Sequence, residues 1–264
     1  MRTKNPLREL LKAGKPSLGT RLQISWPTII ELVGYSAAFD YVEITAEYSP
    51  YDLYTLENQG RAIELFAHLS GMIKIGQEMR MHLAVRAMNS GIQNLLFADI
   101  RSPADAQECV RAVRAEAPEI DGLHGVGQGR DVGVVLEVGS PVFVQSTVDA
   151  VVALMIEKKQ AIEDLPAILS VKGVDMVQFG PADYAMSIGL AENRAHPAVL
   201  EAERYMIETA LRMGVTPRAE IRQPQAADRY LEMGVRHFCL GTDVRILFEW
   251  FKGQGNMMRT RLES

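Results

Sequence analysis

Two carboxylates stand where apolar runs stop. The run Val151-Val152-Ala153-Leu154-Met155-Ile156 ends at Glu157, and the stretch from Val174 to Phe179 leads through Gly180-Pro181-Ala182 to Asp183. A carboxylate closing an apolar strand is presented at the strand's end, and a Gly-Pro turn lets the backbone approach a ligand. Read singly, either acid also serves as a helix cap: Glu157 for the helix that follows it, Asp183 as the N-cap of a helix over Tyr184 to Ile188. Read together, two strand-end carboxylates can converge on a hard divalent cation whose remaining positions take water or substrate oxygens.

A second group lies earlier in the chain. Glu43, Thr45 and Glu47 alternate with Val42, Ile44 and Ala46, so they share one face of a strand. One of the two glutamates reads equally as an interior ion-pair partner or a strand-end surface charge. Lys74 sits among Met72, Ile73 and Ile75. A lysine there must be paired, reach the end of the strand or act in chemistry, and a Schiff-base nucleophile belongs among its roles. Gly125, Gly127 and Gly129 do not match the dinucleotide fingerprint, because Arg130 stands where its last glycine falls and no strand leads into a helix there. His68 and His82 fall in helical stretches and read as structural, and none of the five histidines has metal-ligand spacing. The thirteen methionines are scattered and read as core filler.

These residues need a scaffold, and short β-rich runs alternate with helical patterns along the chain. Strands are predicted over 18–25, 41–48, 72–76, 94–99, a segment ending at Glu157, 176–180, 216–221 and 236–240. Helices are predicted from Trp26 to about Ser36, then over 53–69 and 78–89, and from a Ser102 cap onward. The later ones cover 161–171, 197–213, 225–233 and about 244–252. About eight strand–helix units favour an α/β architecture, a single (β/α)8 (TIM) barrel over residues 1–264. In such a barrel the chemistry sits at the C-terminal strand ends. The stretch from Pro118 to Gln145 breaks the rhythm with glycines and no helical period, and reads as a long functional loop.

Composition excludes several partners. With 28 Lys and Arg against 33 Asp and Glu, the 264-residue chain carries a formal charge of −5, unsuited to nucleic acid or an anionic membrane surface. At 47% apolar residues the composition is globular. No run approaches the roughly 18 apolar residues of a membrane span, and Met1 to Gly14 has no signal-peptide core. Cys109 and Cys239, far apart, suggest neither a disulfide framework nor a thiolate zinc site, and the chain reads as cytoplasmic.

Several segments resemble the metal-dependent (class II) pyruvate aldolase family. That family includes the 2,4-dihydroxyhept-2-ene-1,7-dioate and 2-keto-3-deoxyglucarate aldolases and is related to citrate lyase beta subunits. The resemblance is carried by Phe39-Asp40-Tyr41-Val42 through Glu47, Met155-Ile156-Glu157, Val171-Lys172-Gly173-Val174-Asp175, Gly180-Pro181-Ala182-Asp183 through Gly189, and Leu240-Gly241-Thr242-Asp243. It implies a (β/α)8 barrel whose C-terminal helix is exchanged between subunits of a homo-oligomer, a hexamer or a trimer. It also implies Mg²⁺, Mn²⁺ or Co²⁺ on Glu157 and Asp183, chelation of a 2-oxo acid such as pyruvate, and Lewis-acid stabilisation of an enolate as a C–C bond breaks. The small-molecule partners are then an oxo acid and an aldehyde.

The departures are as informative. The family's usual Asp-x-Glu-His stands here as Thr45-Ala46-Glu47-Tyr48, so Tyr48 takes the place of the proton-moving histidine. The aspartate that supports that histidine aligns with Asn89, the arginine at the keto oxygen with Lys74, and a glutamine with Met155. His124 stands where an Arg-Gly pair is usual. A coordinated change at Tyr48 and Asn89 suggests altered chemistry. Tyrosine is a poor base at pH 7 unless a neighbour such as Lys74 lowers its pKa.

The leading reading is a divalent-metal-dependent lyase. Glu157 and Asp183 hold the metal; Lys74, Tyr48 and Glu47 act on charge and protons; Gly180, Pro181, Ala182, Met155, His124 and Asn89 contact substrate. The alternatives are a Schiff-base aldolase using Lys74, and a metal- and carboxylate-binding protein that has lost lyase activity.

Overall fold

The computed structural model describes residues 4–263. Eight parallel strands close on themselves in sequence order: β1 (Ser17–Leu22), β2 (Tyr41–Thr45), β3 (Ser70–Ile75), β4 (Asn94–Phe97), β5 (Val151–Ile156), β6 (Met176–Phe179), β7 (Thr216–Ile221) and β8 (His237–Thr242). The expected (β/α)8 barrel is therefore what the chain forms. Parallel strands covered on both faces must bury both sets of side chains, hence their near-continuous apolar runs. Val42, Ile44, Leu95, Val152, Leu154 and Val177 belong to the cluster that packs the sheet against the helices, whereas Tyr41, Met72, Leu96, Ala153 and Met176 fill the interior.

A short helix, α1 (Pro6–Lys12), closes the N-terminal end of the barrel. Leu7, fully buried, joins the interior cluster. Asn5 Nδ2 donates to Asn94 Oδ1 at 2.7 Å, and the Arg8 guanidinium makes two 2.6 Å bonds to Asp175. Asp175 also accepts from Val152 N at 2.9 Å, so the aspartate of the Gly-Val-Asp segment ties the floor to β5.

Several predicted boundaries move, each for a local reason. The second strand stops at Thr45 instead of Tyr48, because the Tyr48 and Ser49 N–H groups both turn back to Thr45 O. The helix predicted from Trp26 to about Ser36 is α2 (Thr28–Ser36), and the one predicted over 53–69 is α3 (Leu53–Glu64), which ends five residues early and leaves His68 in a turn beside the Phe66 ring. His82 lies in α4 (Arg80–Asn89), as expected. α5 (Pro103–Val113) begins at Ser102, where the reciprocal bonds of a capping box join Ser102 and Asp105.

The 118–145 loop contains a 3-10 turn over Arg130–Val132, and α6 (Pro141–Asp149) starts inside it. Ser140 caps that helix and Pro141 occupies its first turn, a start signal masked by the strand-like Val142-Phe143-Val144. The segment expected as one helix over 161–171 is two, α7 (Lys159–Glu163) and α8 (Leu165–Leu169), interrupted at Asp164 with Pro166 following. Asp183 is not an N-cap: Gly180 takes that position and Asp183 lies in the first turn of α9 (Pro181–Ser187). After α10 (Pro197–Met213) and α11 (Asp228–Glu232), the last helix, α12 (Asp243–Glu263), extends 21 residues, far beyond Lys252. Among the described residues no helix is long and apolar enough to cross a membrane.

Candidate active site

A cavity of about 950 Å³ opens at the C-terminal strand ends, the face where this architecture carries its chemistry. Glu157, Asp183, Lys74, Tyr48, Met155, Gly180, Pro181 and Ala182 all line it. Strands β3, β5 and β6 deliver most of these side chains from one side of the mouth.

Glu157 follows β5 directly and is 2% exposed. Its Oε1 accepts the Asp99 N–H at 2.8 Å, and no cation lies within ion-pair distance of it among the described residues. Burial pushes its carboxyl above the usual range, against the Asp99 N–H and the charge of Lys74, which favour the carboxylate. Gly180 is required beside it, since a Cβ there would lie 2.4 Å from Glu157 Oε2. Asp183, one turn further on, has its Oδ1 3.2 Å from Lys158 Nζ.

Lys74 is 4% exposed, inside β3. Its ammonium lies 2.5 Å from Glu47 Oε2 and donates to the Tyr48 hydroxyl at 3.1 Å. Burial works against its charge, but Tyr48 and Glu47 outweigh this and hold its pKa above the ordinary lysine value. An ammonium held this firmly suits stabilisation of developing negative charge. It does not suit imine formation, which needs the free amine.

Tyr48 is half-exposed, and its pKa is raised, not lowered: burial dominates over the attraction of Lys74. The expectation of a cation-activated tyrosinate is therefore corrected to a neutral phenol that can donate a proton.

The structure does not bring Asn89 or His124 to this mouth. Asn89 ends α4, five residues before β4, and so lies at the opposite end of the barrel; it borders a separate cavity of about 710 Å³ with Gly127 and Arg130. His124 is 1% exposed and packs against the Phe143 ring, where burial lowers its pKa. Within one subunit, Tyr48 and Asn89 are thus not neighbours.

Sequence reasoning passed over three groups. Asp99 follows β4 at a strand end as Glu157 does, so the same criterion would have found it. Lys158 joins Asp99 Oδ1 at 2.7 Å to Asp183. Arg21 stands on the far wall, donating through Nε to Thr242 Oγ1 at 3.1 Å and through Nη1 to Glu220 Oε2 at 2.9 Å. Deeper still, Arg218 and Glu43 form an ion pair across the interior, both essentially inaccessible. Glu43 thus takes the interior ion-pair role left open between it and Glu47.

Among the described residues no three His, Cys, Asp or Glu side chains gather around one point. A cation here would take two protein carboxylates, with its other positions open to small oxygen ligands. That donor set fits Mg²⁺ or Mn²⁺, which keep several waters or substrate oxygens. A buried carboxylate without an ion-pair partner is the feature that calls for such a cation.

Comparison with known proteins agrees with this geometry. The sequence model of the family described as HpcH/HpaI aldolase/citrate lyase matches residues 27–249. A 4-hydroxy-2-oxo-heptane-1,7-dioate aldolase of Shigella boydii is 31% identical over 249 residues, covering 92% of this chain and 90% of that protein. Among solved structures, an HpcH/HpaI aldolase/citrate lyase family protein from Burkholderia cenocepacia superposes with a TM-score of 0.88 at 27% identity. It covers 97% of this chain and 100% of its own. An HpcH/HpaI aldolase from Desulfitobacterium hafniense gives 0.84 at 26% identity, covering 96% of each chain.

Proposed function

Because the chain belongs to the HpcH/HpaI aldolase/citrate lyase family, and is a divalent-metal-dependent carbon–carbon lyase, we propose that it cleaves a 4-hydroxy-2-oxo acid to pyruvate and an aldehyde. The observation that carries this reading is Glu157, buried beside Asp183 at the barrel mouth with no cation at ion-pair distance among the described residues. Glu157 and Asp183 hold the cation, Mg²⁺ or Mn²⁺, with Co²⁺ a third candidate. Such an ion supplies Lewis-acid polarisation of the keto oxygen.

The chain's own groups do the rest. Lys74, kept protonated by Glu47 and Tyr48, faces the negative charge that develops when the C–C bond breaks. Tyr48, a neutral phenol hydrogen-bonded to Lys74, is placed to deliver a proton to the carbon that becomes the pyruvate methyl and to regain one from the hydroxyl that becomes the aldehyde carbonyl, so the phenol ends neutral; Lys74 and Glu47 fix its orientation. The Gly180-Pro181-Ala182 backbone and Met155 border the oxo acid's side of the cavity. The curated relative acts on a dioate, and Arg21 on the opposite wall is a suitable partner for a second carboxylate.

Residues 244–263 of α12 are exposed throughout, with Ile246, Phe248, Trp250, Phe251, Met257, Met258 and Leu262 each more than half exposed. An apolar helix surface of this kind is buried by another subunit, which supports exchange of α12 within a homo-oligomer, a hexamer or trimer.

The test is pyruvate release from 4-hydroxy-2-oxo-heptane-1,7-dioate with Mg²⁺, Mn²⁺ or Co²⁺. Turnover should require the metal and disappear in Glu157→Ala. Undiminished, metal-independent activity in that variant would overturn the proposal.

A further inference from the structure

Lys158 immediately follows Glu157 in the chain, and its ammonium bridges two carboxylates: Asp99 Oδ1 at 2.7 Å and Asp183 Oδ1 at 3.2 Å. Its side chain is 14% exposed, less than either partner. Asp99 is unusual in its own right, with φ at 57°, in the left-handed region. That conformation goes with a backbone N–H bonded to Glu157 Oε1 while the carboxylate takes Lys158 at 2.7 Å, with the more exposed Arg101 at a longer 3.6 Å. One residue therefore touches both halves of the carboxylate pair: Glu157 through its backbone, Asp183 through the lysine.

Resting on the cation reading above, we propose that Lys158 competes with the divalent cation for Asp183, and that Asp99 is the seat to which its ammonium retires when the cation binds. The argument is electrostatic. A carboxylate oxygen within 3.2 Å of an ammonium cannot give its full charge to a second cation without loosening that contact, and two cations held on one carboxylate repel each other. Lys158 has a stronger contact available at 2.7 Å on Asp99, so it can leave Asp183 without being stranded in a buried setting. The lysine thus keeps Asp183 neutralised and in place, and sets a ceiling on how tightly the metal is held. Moderate affinity suits an ion that must leave room for substrate oxygens in its coordination shell.

The experiment is titration of the full-length protein with Mn²⁺ alone, followed by the loss of free Mn²⁺ signal in electron paramagnetic resonance, so that no turnover is needed. Lys158→Met and Lys158→Gln should each bind Mn²⁺ about tenfold more tightly than the parent, and Lys158→Arg should stay close to it. If Lys158 instead served to orient Asp183, both neutral variants would bind more weakly; weaker or unchanged binding overturns the proposal. Glu157→Gln separates this from the reading beneath it. Parent-like Mn²⁺ affinity in Glu157→Gln would mean that the ion sits elsewhere, and both ideas would fall. Lost affinity there with no tightening in the Lys158 variants would remove the competition alone.

Discussion

Two glutamates are equally buried in this barrel and have opposite surroundings. Glu43, wholly inaccessible, is joined to Arg218 across the interior, while Glu157, 2% exposed, meets a backbone N–H and, among the described residues, no cation within ion-pair distance. A buried charge is tolerated when it is paired or coordinates a metal. Glu43 is satisfied from within the chain, and Glu157 is left to be satisfied from outside. Burial alone ranks the two alike; the missing partner is what sets Glu157 apart and what the proposed cation would supply.

The sharpest way to break the comparison is Glu157→Gln. It should lower kcat/KM for retro-aldol cleavage by about 10³-fold or more while leaving the thermal midpoint of the metal-free protein unchanged or raised, because burial already disfavours that charge. A large fall in the midpoint would make Glu157 a structural residue. Glu43→Ala should do the reverse. It strands Arg218 and should cost about 3–5 kcal/mol of stability in denaturant unfolding, with Mn²⁺ affinity retained by the folded fraction.

Lys74→Met should come next, with a loss of about 10²-fold in kcat, and borohydride in the presence of pyruvate should leave Lys74 of the parent unmodified. A trapped adduct there would restore the imine mechanism.

The smallest effect is on pH dependence, away from the mouth. Burial, reinforced by Arg218, lowers His237 to about 4, against an ordinary value of 6.5. Its contribution to stability is therefore fully present above pH 6.5 and is lost as pH falls towards 4. Asp131 runs the other way. Burial pushes its carboxyl up to about 6, so its contribution is present at acid pH and lost as pH rises through 6. Thermal midpoints between pH 4 and 8 should show His237→Gln flattening the acid-side loss, and Asp131→Asn gaining about 1–2 kcal/mol at neutral pH. No gain in Asp131→Asn would mean that its carboxylate is better solvated than the fold suggests.

Much of the fold was legible because period and punctuation agree: short apolar runs, helical spacing between them, and caps such as Ser102 with Asp105. The pair Glu157 and Asp183 was legible for a related reason, since a carboxylate ending an apolar run announces a strand end at a barrel mouth. What escaped depended on distance across the fold. Arg218 pairs with a residue 175 positions away, and Lys158 reaches Asp99 from the next strand end over. Local signals carry no information about such meetings. Tyr48 was misjudged because desolvation, which has no sequence signature, outweighed the neighbouring charge that sequence did reveal. Helix α6 was hidden for a different reason: its β-branched residues prefer strands, and the Ser140 cap with Pro141 overrode that preference.

The α1 plug has a kinetic consequence. With Leu7 seated in the interior and Arg8 clamped to Asp175, the barrel is a blind-ended well, and every reactant must use the same doorway. On the proposed reading the oxo-acid fragment lies against Glu157, 2% exposed, and the aldehyde fragment on the side of Arg21, 22% exposed, so the first is the deeper and cannot depart past the second. Cleavage should accordingly release the aldehyde first and pyruvate last. In steady-state product inhibition, pyruvate should compete directly with the parent hydroxy-oxo acid and the aldehyde should not.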